Sequence, residues 1–201
     1  MKITGKRVFL ALVTLFISTG LCHARNIVSE STVKGVQYGS QGKFEEATNE
    51  FGKALKVAPS FGPAQRGLKI IEEVADHKIE SQAAINYFKG IAHSIRGQHE
   101  QAIPYYNKAI EINPEFANAY FSRGVALAEG KGEYDEAISD YNKVLEIDPG
   151  FAKAILARGV AYYYKGEYDK ASADVHKVQS LGYQIPPSFL KGLEQASGRK
   201  E

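Results

Sequence analysis

Apolar residues along this chain fall in amphipathic stretches at i, i+3, i+4 spacing, each about a dozen residues long, the period of a helix with one buried face. The stretches are divided at glycines followed by a polar residue, GK, GQ, GE and GE at 42, 97, 132 and 166. The segment ARGVAYYYKGEYDKA at 157–171 restates SRGVALAEGKGEYDEA at 122–137, with one extra residue before the turn. Aligned on the shared glycine, Ile155, Arg158, Gly159, Tyr162, Ala171 and Val175 correspond to Tyr120, Arg123, Gly124, Leu127, Ala137 and Tyr141. The same frame fits Asn86, Lys89, Gly90, His93, Ala102 and Tyr106, and, more weakly, Ser31, Lys34, Gly35, Tyr38, Ala47 and Phe51. Pro114 and Pro149 lie 35 residues apart. A period near that length is the mark of a repeat array.

Each unit predicts two helices joined at a glycine turn. The glycine in the first helix and the alanine early in the second let the two backbones approach, and the large residues beside them fill the remaining space. Pro59, Pro114 and Pro149 each bar continuation of a second helix. One helix pair cannot bury its own apolar face, whereas a stack of pairs can. The expected fold is therefore all-α: a solenoid of antiparallel helix pairs. Its expected units are 25–61, an inserted helix over 62–79, then 80–114, 115–149 and 150–183. Residues 186–201 are expected to form a short capping helix and a frayed tail, with Pro187 starting the helix and Phe189, Leu190 and Leu193 closing the end of the stack.

The insertion breaks the rhythm. Pro59 and Pro114 are 55 residues apart, a full period plus the piece FGPAQRGLKIIEEVADHKIES. Its apolar residues Leu68, Ile71, Ala75 and Ile79 run in phase into Ala83, Tyr87, Ile91 and Ile95, with no Gly or Pro between Leu68 and Lys89. This pattern predicts one long or gently kinked helix over 63–96; a tight turn near Asp76–Lys78 is the competing reading.

The motif positions in the last three units resemble the tetratricopeptide repeat family, over residues 29–61 and 80–183. The departures are Arg123 and Arg158 where that family usually has leucine, and His93 where it has an aromatic. Each arginine is followed at the same motif position by an acid, Asp140 and Asp174, and Lys34 with Glu50 repeats this, the spacing for Arg123 being one residue longer because of the extra turn residue. All three pairs are expected to be ion pairs bridging the two helices of a unit. The resemblance implies a right-handed superhelical solenoid and a non-catalytic interaction module. Some cochaperones of the family grip acidic tails with a lysine and asparagine clamp. The matching positions here are Thr32/Val36, Tyr87/Ile91, Phe121/Val125 and Leu156/Val160, so no such clamp is expected.

On each first helix a second stripe faces the concave side of the stack, and it is unusually apolar. It comprises Tyr87, Phe88 and Ile91 in one unit, Phe121 and Val125 in the next, and Leu156, Val160, Tyr163 and Tyr164 in the last. A contiguous apolar surface marks an interaction site, but the first repeat or the insertion folding over the stripe accounts for it equally well. The expected partner is a protein or peptide of apolar or aromatic rather than strongly acidic character. Self-association into a scaffold through the same surface is the alternative.

The N-terminus adds a location. MKITGKR carries three cations and no acid, VFLALVTLFI is a short apolar run, and STGLCHA ends in Ala24. These are the parts of a secretory signal peptide over 1–24, and the run is too short to span a bilayer, which takes about 20 apolar residues. Leu21 before Cys22 is wrong for a lipoprotein signal. The expected product is an exported protein, periplasmic or secreted, or else one tethered by an uncleaved leader. Cleavage would leave 22 Lys and Arg against 23 acids and no cysteine. That balance argues against nucleic acid as partner and excludes a disulfide. The chain shows no HExxH, Cys/His cluster or P-loop, so neither enzyme activity, metal nor cofactor is expected.

Overall fold

In the computed structural model the described residues are 19–198, with side chains described from Asn26. They form ten α-helices and no strand. Four antiparallel pairs are α1 (Thr19–Ser40) with α2 (Phe44–Val57), α4 (Ser81–Ser94) with α5 (His99–Ile112), α6 (Ala117–Lys131) with α7 (Tyr134–Ile147), and α8 (Ala152–Lys165) with α9 (Tyr168–Ser180). α3 (Gly62–Ala75) stands alone between the first two pairs, and α10 (Pro187–Ser197) packs on α9. The leader expected over 1–24 lies outside the described residues up to residue 18, and α1 begins at Thr19. Among the described residues no helix is long and apolar enough to cross a membrane.

Each pair closes by the same local device. Gly42, Gly97, Gly132 and Gly166 all take a positive φ, between 69° and 78°. The residue after each donates its N–H back to a carbonyl of the last helical turn, as Glu167 does to Tyr162 at 2.9 Å. Glycine adopts this left-handed conformation without a Cβ penalty, which is why the repeat turns are written GK, GQ and GE. Further in, a glycine of the first helix receives the ring of the second. A Cβ on Gly35 would lie 2.6 Å from Phe51, one on Gly124 2.7 Å from Tyr141, and Gly90 accepts Tyr106 in the same way. Phe51, Tyr106 and Tyr141 are thereby almost wholly buried.

The continuous helix expected over 63–96 is instead two helices. α3 ends at Ala75; His77 takes φ 57°, and its N–H bonds the Val74 carbonyl at 3.1 Å while the Lys78 N–H reaches Glu73 at 2.8 Å. This is the helix-ending pattern that a glycine normally serves, here built on a histidine. The apolar phase runs on across the break because Ile79, at the reversal, is itself buried.

The reversal redirects the stack. Gly67 of α3 covers the side of the Phe51 ring that Gly35 leaves open, while α4 turns back to pack against α1. There Gly39 admits Phe88, whose ring stacks on Phe51 with centroids 6.1 Å apart. One continuous core therefore runs from Val28 of α1 to Ala126 of α6. At the other end, Ile185 and, from α10, Leu193 are buried together, and Tyr163 meets Phe189 at 5.5 Å.

Candidate functional site

The apolar stripe has two fates. In α4, Tyr87 and Phe88 retain only 3% and 1% of their exposure, and Ile91 packs against the same core. Gly39 of α1 receives the Phe88 ring, and Tyr87 meets Phe116 at 5.1 Å. Their place in a binding groove is thus corrected: α1 covers Phe88, and Phe116 at the start of the next unit covers Tyr87. Tyr163 is also displaced from the groove. It is half-buried toward Tyr168, Phe189 and Gly192, under the C-terminal cap.

Phe121, Val125, Leu156, Val160 and Tyr164 remain together. They line an open groove of about 670 Å³ between α6 and α8. Its floor is completed by Ala157, Ala161 and the buried ring of Tyr141. Phe121 is held in place by Phe151 at 5.4 Å and Tyr141 at 6.0 Å. Tyr164 stands on the rim at 63% exposure, stacked within 7° of parallel on Tyr134 at 5.4 Å. Tyr134 was not anticipated as part of the site. It begins α7 rather than lying on a first-helix stripe, and its signal was the repeated GEYD turn that sets it against the next unit.

Charge is sparse on this lining. Glu129 and Lys153 are its charged members. Glu129 lies 3.8 Å from the His99 imidazole, whereas Lys153 has no acid partner among the described residues. Burial and the nearby Arg66 charge hold the Lys153 ammonium below its ordinary pKa.

The arginines face away from the groove and bind the units together. Arg123 donates from Nε and Nη2 to the two Asp140 oxygens at 2.9 and 2.6 Å, and from Nη1 to Asn107 at 2.8 Å. Arg158 repeats this with Asp174 at 2.9 and 2.7 Å and with Asn142 at 2.6 Å. Each guanidinium thus joins its own second helix to that of the preceding unit, a three-way link for which a planar fork is suited. Burial pushes the Asp140 carboxyl above its ordinary pKa, outweighing the opposite pull of the Arg123 hydrogen bonds. The asparagines were legible as a recurrence, one residue after Tyr106 and Tyr141, but their role needed the neighbouring unit in place.

The third expected pair does not form. Lys34 bonds Glu30 at 2.7 Å, one turn away on its own helix, and Glu50 bonds Lys53 at 2.6 Å. Lysine is a point charge on a flexible stem, and an acid one turn along satisfies it without bridging helices. Among the described residues no group of three or more His, Cys, Asp or Glu gathers as a metal set would.

Comparison with known proteins bears on the class. Residues 91–129 and 131–166 match the TPR repeat family. The chain is 28% identical over 102 residues to human tetratricopeptide repeat protein 6, an alignment spanning 45% of this chain and 20% of that one. It is 41% identical over 46 residues to an uncharacterized protein of Methanocaldococcus jannaschii, covering 23% of this chain and 54% of that one. The chain thus spans about a fifth and about half of the lengths of these curated relatives. Among solved structures, the Arabidopsis OM64 TPR domain superposes with TM-score 0.50 at 28% identity, over 58% of this chain and 91% of that one. The Sgt2 TPR domain from Aspergillus fumigatus gives 0.52 at 22%, over 60% and 80%. The second TPR domain of human RPAP3, solved with an HSP70 peptide, gives 0.52 at 24%, over 60% and 97%. The all-helical architecture of packed helix pairs is that of tetratricopeptide solenoids.

Proposed function

We propose that this protein is a non-catalytic interaction module that holds a peptide segment of another protein in the groove between α6 and α8. The observation that carries this is the contrast along one stripe. The fold buries Tyr87 and Phe88 of α4 among its own helices and leaves the stripe of α6 and α8 open over about 670 Å³. An apolar surface of this extent, rimmed by an exposed tyrosine, favours a partner that supplies apolar or aromatic side chains. The leader expected over 1–24 supports a location in the cell envelope, periplasmic or secreted, or tethered there if the leader is retained.

The test is site-directed photocrosslinking. A benzophenone amino acid at exposed position 164 in the full chain is irradiated in envelope extract, with and without Val160→Glu. A defined adduct lost with Val160→Glu, while circular dichroism shows an unchanged helix content, supports the groove. Adducts indifferent to Val160→Glu overturn it. An adduct with a second copy, together with concentration-dependent mass in sedimentation, would assign the groove to self-assembly instead. N-terminal sequencing of the protein recovered from the envelope, reading from Arg25, checks export and the cut after Ala24.

A further inference from the structure

Two cations meet at the edge of this groove, contributed by parts of the chain far apart in sequence. Lys153 lies at the start of α8 and lines the groove, and Arg66 belongs to the inserted α3. They converge on Gly62, where a Cβ would sit 3.7 Å from both Arg66 Nη1 and Lys153 Nζ. A side chain at 62 would occupy the space between them, and glycine leaves it open. Among the described residues neither cation has a hydrogen bond or an ion pair to a carboxylate; of the two acids later in α3, Glu72 and Glu73, Glu73 is engaged by Lys69 at 3.7 Å. The contrast is with the cations that join the helices of these repeats. Arg123 and Arg158 are each saturated by an acid and an amide, and Lys165 is held by Asp135 and Glu167.

On the reading that the α6–α8 groove holds a partner's peptide, we infer that the peptide carries an acidic side chain beside its apolar anchor and that Lys153 and Arg66 receive it. Two like charges facing one another beside an apolar surface form a site that a single carboxylate relieves, because it is attracted to both and offers oxygens to a guanidinium and an ammonium together. Burial and Arg66 already depress the Lys153 pKa, and a bound carboxylate would restore it. Lys153 is exposed at the rim, so a chain seated in the groove runs on past the cations. This favours the side chain of an internal Asp or Glu over a chain terminus. The expected partner is thus refined from apolar without strong acidity to apolar with one adjacent acid. The cations belong to the insertion and to the first turn of α8, not to the i, i+4 groove positions that lack a clamp.

The experiment selects random peptides on the full chain from two display libraries, one with both peptide ends joined to the carrier and one with free C-termini. The selection is repeated on Lys153→Glu/Arg66→Glu, exposed or half-exposed changes whose fold is checked by circular dichroism. Expected is a consensus of an aromatic or large aliphatic residue beside Asp or Glu from the end-joined library, moving to Lys or Arg with the doubly reversed chain. Replacing that acid by its amide in a synthetic peptide should weaken binding about three- to tenfold on the unaltered chain and leave binding to the Lys153→Gln/Arg66→Gln chain unchanged. An apolar consensus without an acid would overturn this inference while leaving the groove as a peptide site. Acid enrichment confined to free C-termini would overturn the side-chain assignment in favour of a terminal carboxylate. Recovery of no consensus from either library would overturn the groove and this inference with it.

Discussion

The first helices α4 and α8 carry equivalent apolar stripes and use them in opposite ways. On α4 the stripe is core, with Phe88 seated over Gly39 of α1 and Tyr87 against Phe116. On α8 the equivalent Leu156 and Val160 face a groove. The difference originates outside both helices. The insertion α3 ends in a reversal at His77, which sends α4 back onto α1 rather than onward from α2. What remains open between α1 and α4 is a smaller cleft of about 240 Å³ edged by Val33 and Ile95. Apolar surplus in a repeat helix is therefore no evidence of a binding face until the neighbouring units have been placed.

If this contrast holds, matched substitutions must separate the two halves. Phe88→Ala is expected to cost about 3–5 kcal/mol, the range for a large aromatic removed from a packed core, read from the midpoint of urea unfolding. Gly39→Ala puts a Cβ 2.6 Å from the Phe88 ring. It should therefore destabilise by about 1–3 kcal/mol through overpacking, although the same exchange in an open helix stabilises by up to about 1 kcal/mol. An unchanged or raised midpoint for Gly39→Ala would mean that α1 does not cover α4.

Arg123→Met sharpens the comparison between units, since it leaves Asp140 buried without its counter-charge. The expected loss is about 2–3 kcal/mol at neutral pH, below the range for a fully buried pair because the arginine is partly exposed. Without the arginine, the carboxyl's folded pKa rises further above its unfolded value, so the folded state holds the proton more tightly. Stability of this variant should therefore recover as pH falls toward about 4 and decline as pH rises through the raised pKa. A loss independent of pH would place the effect in packing instead. The corresponding Lys34→Met in the first unit removes only a contact on one exposed helix face and should change little.

Smaller effects complete the series. His77→Gly relieves a left-handed residue of its Cβ and should stabilise by about 0.5–1 kcal/mol; destabilisation would indicate that the histidine ring is needed at the turn. Tyr164→Ala should move stability by less than about 0.5 kcal/mol while weakening any groove adduct, the opposite profile to Phe88→Ala.

How much of this was legible varies with the range of the forces involved. The repeat turns were visible because a positive φ next to a helix end is a local demand that glycine meets. The ring-receiving glycines were visible because they recur at a fixed offset from the aromatic they accept. The break at His77, a turn near Asp76–Lys78, was legible only as the competing reading because a histidine filled the glycine position and the buried Ile79 kept the apolar phase. The pairing of Lys34 was misjudged because motif offset carries no information about a competing acid one turn away. Arg66, the cation beside Lys153, lay in a segment outside every repeat, and nothing local connects it to a residue so distant in the chain.

The amino-acid sequence by itself determined the class of this protein: helix pairs, their turns and the need to stack, all set by contacts within a few dozen residues. Tertiary structure alone decided which part of a uniformly apolar stripe is core and which is open surface. Burial is a property of what lies opposite a side chain, and what lies opposite α4 is a helix whose arrival depends on a five-residue reversal elsewhere, between Ala75 and Ser81.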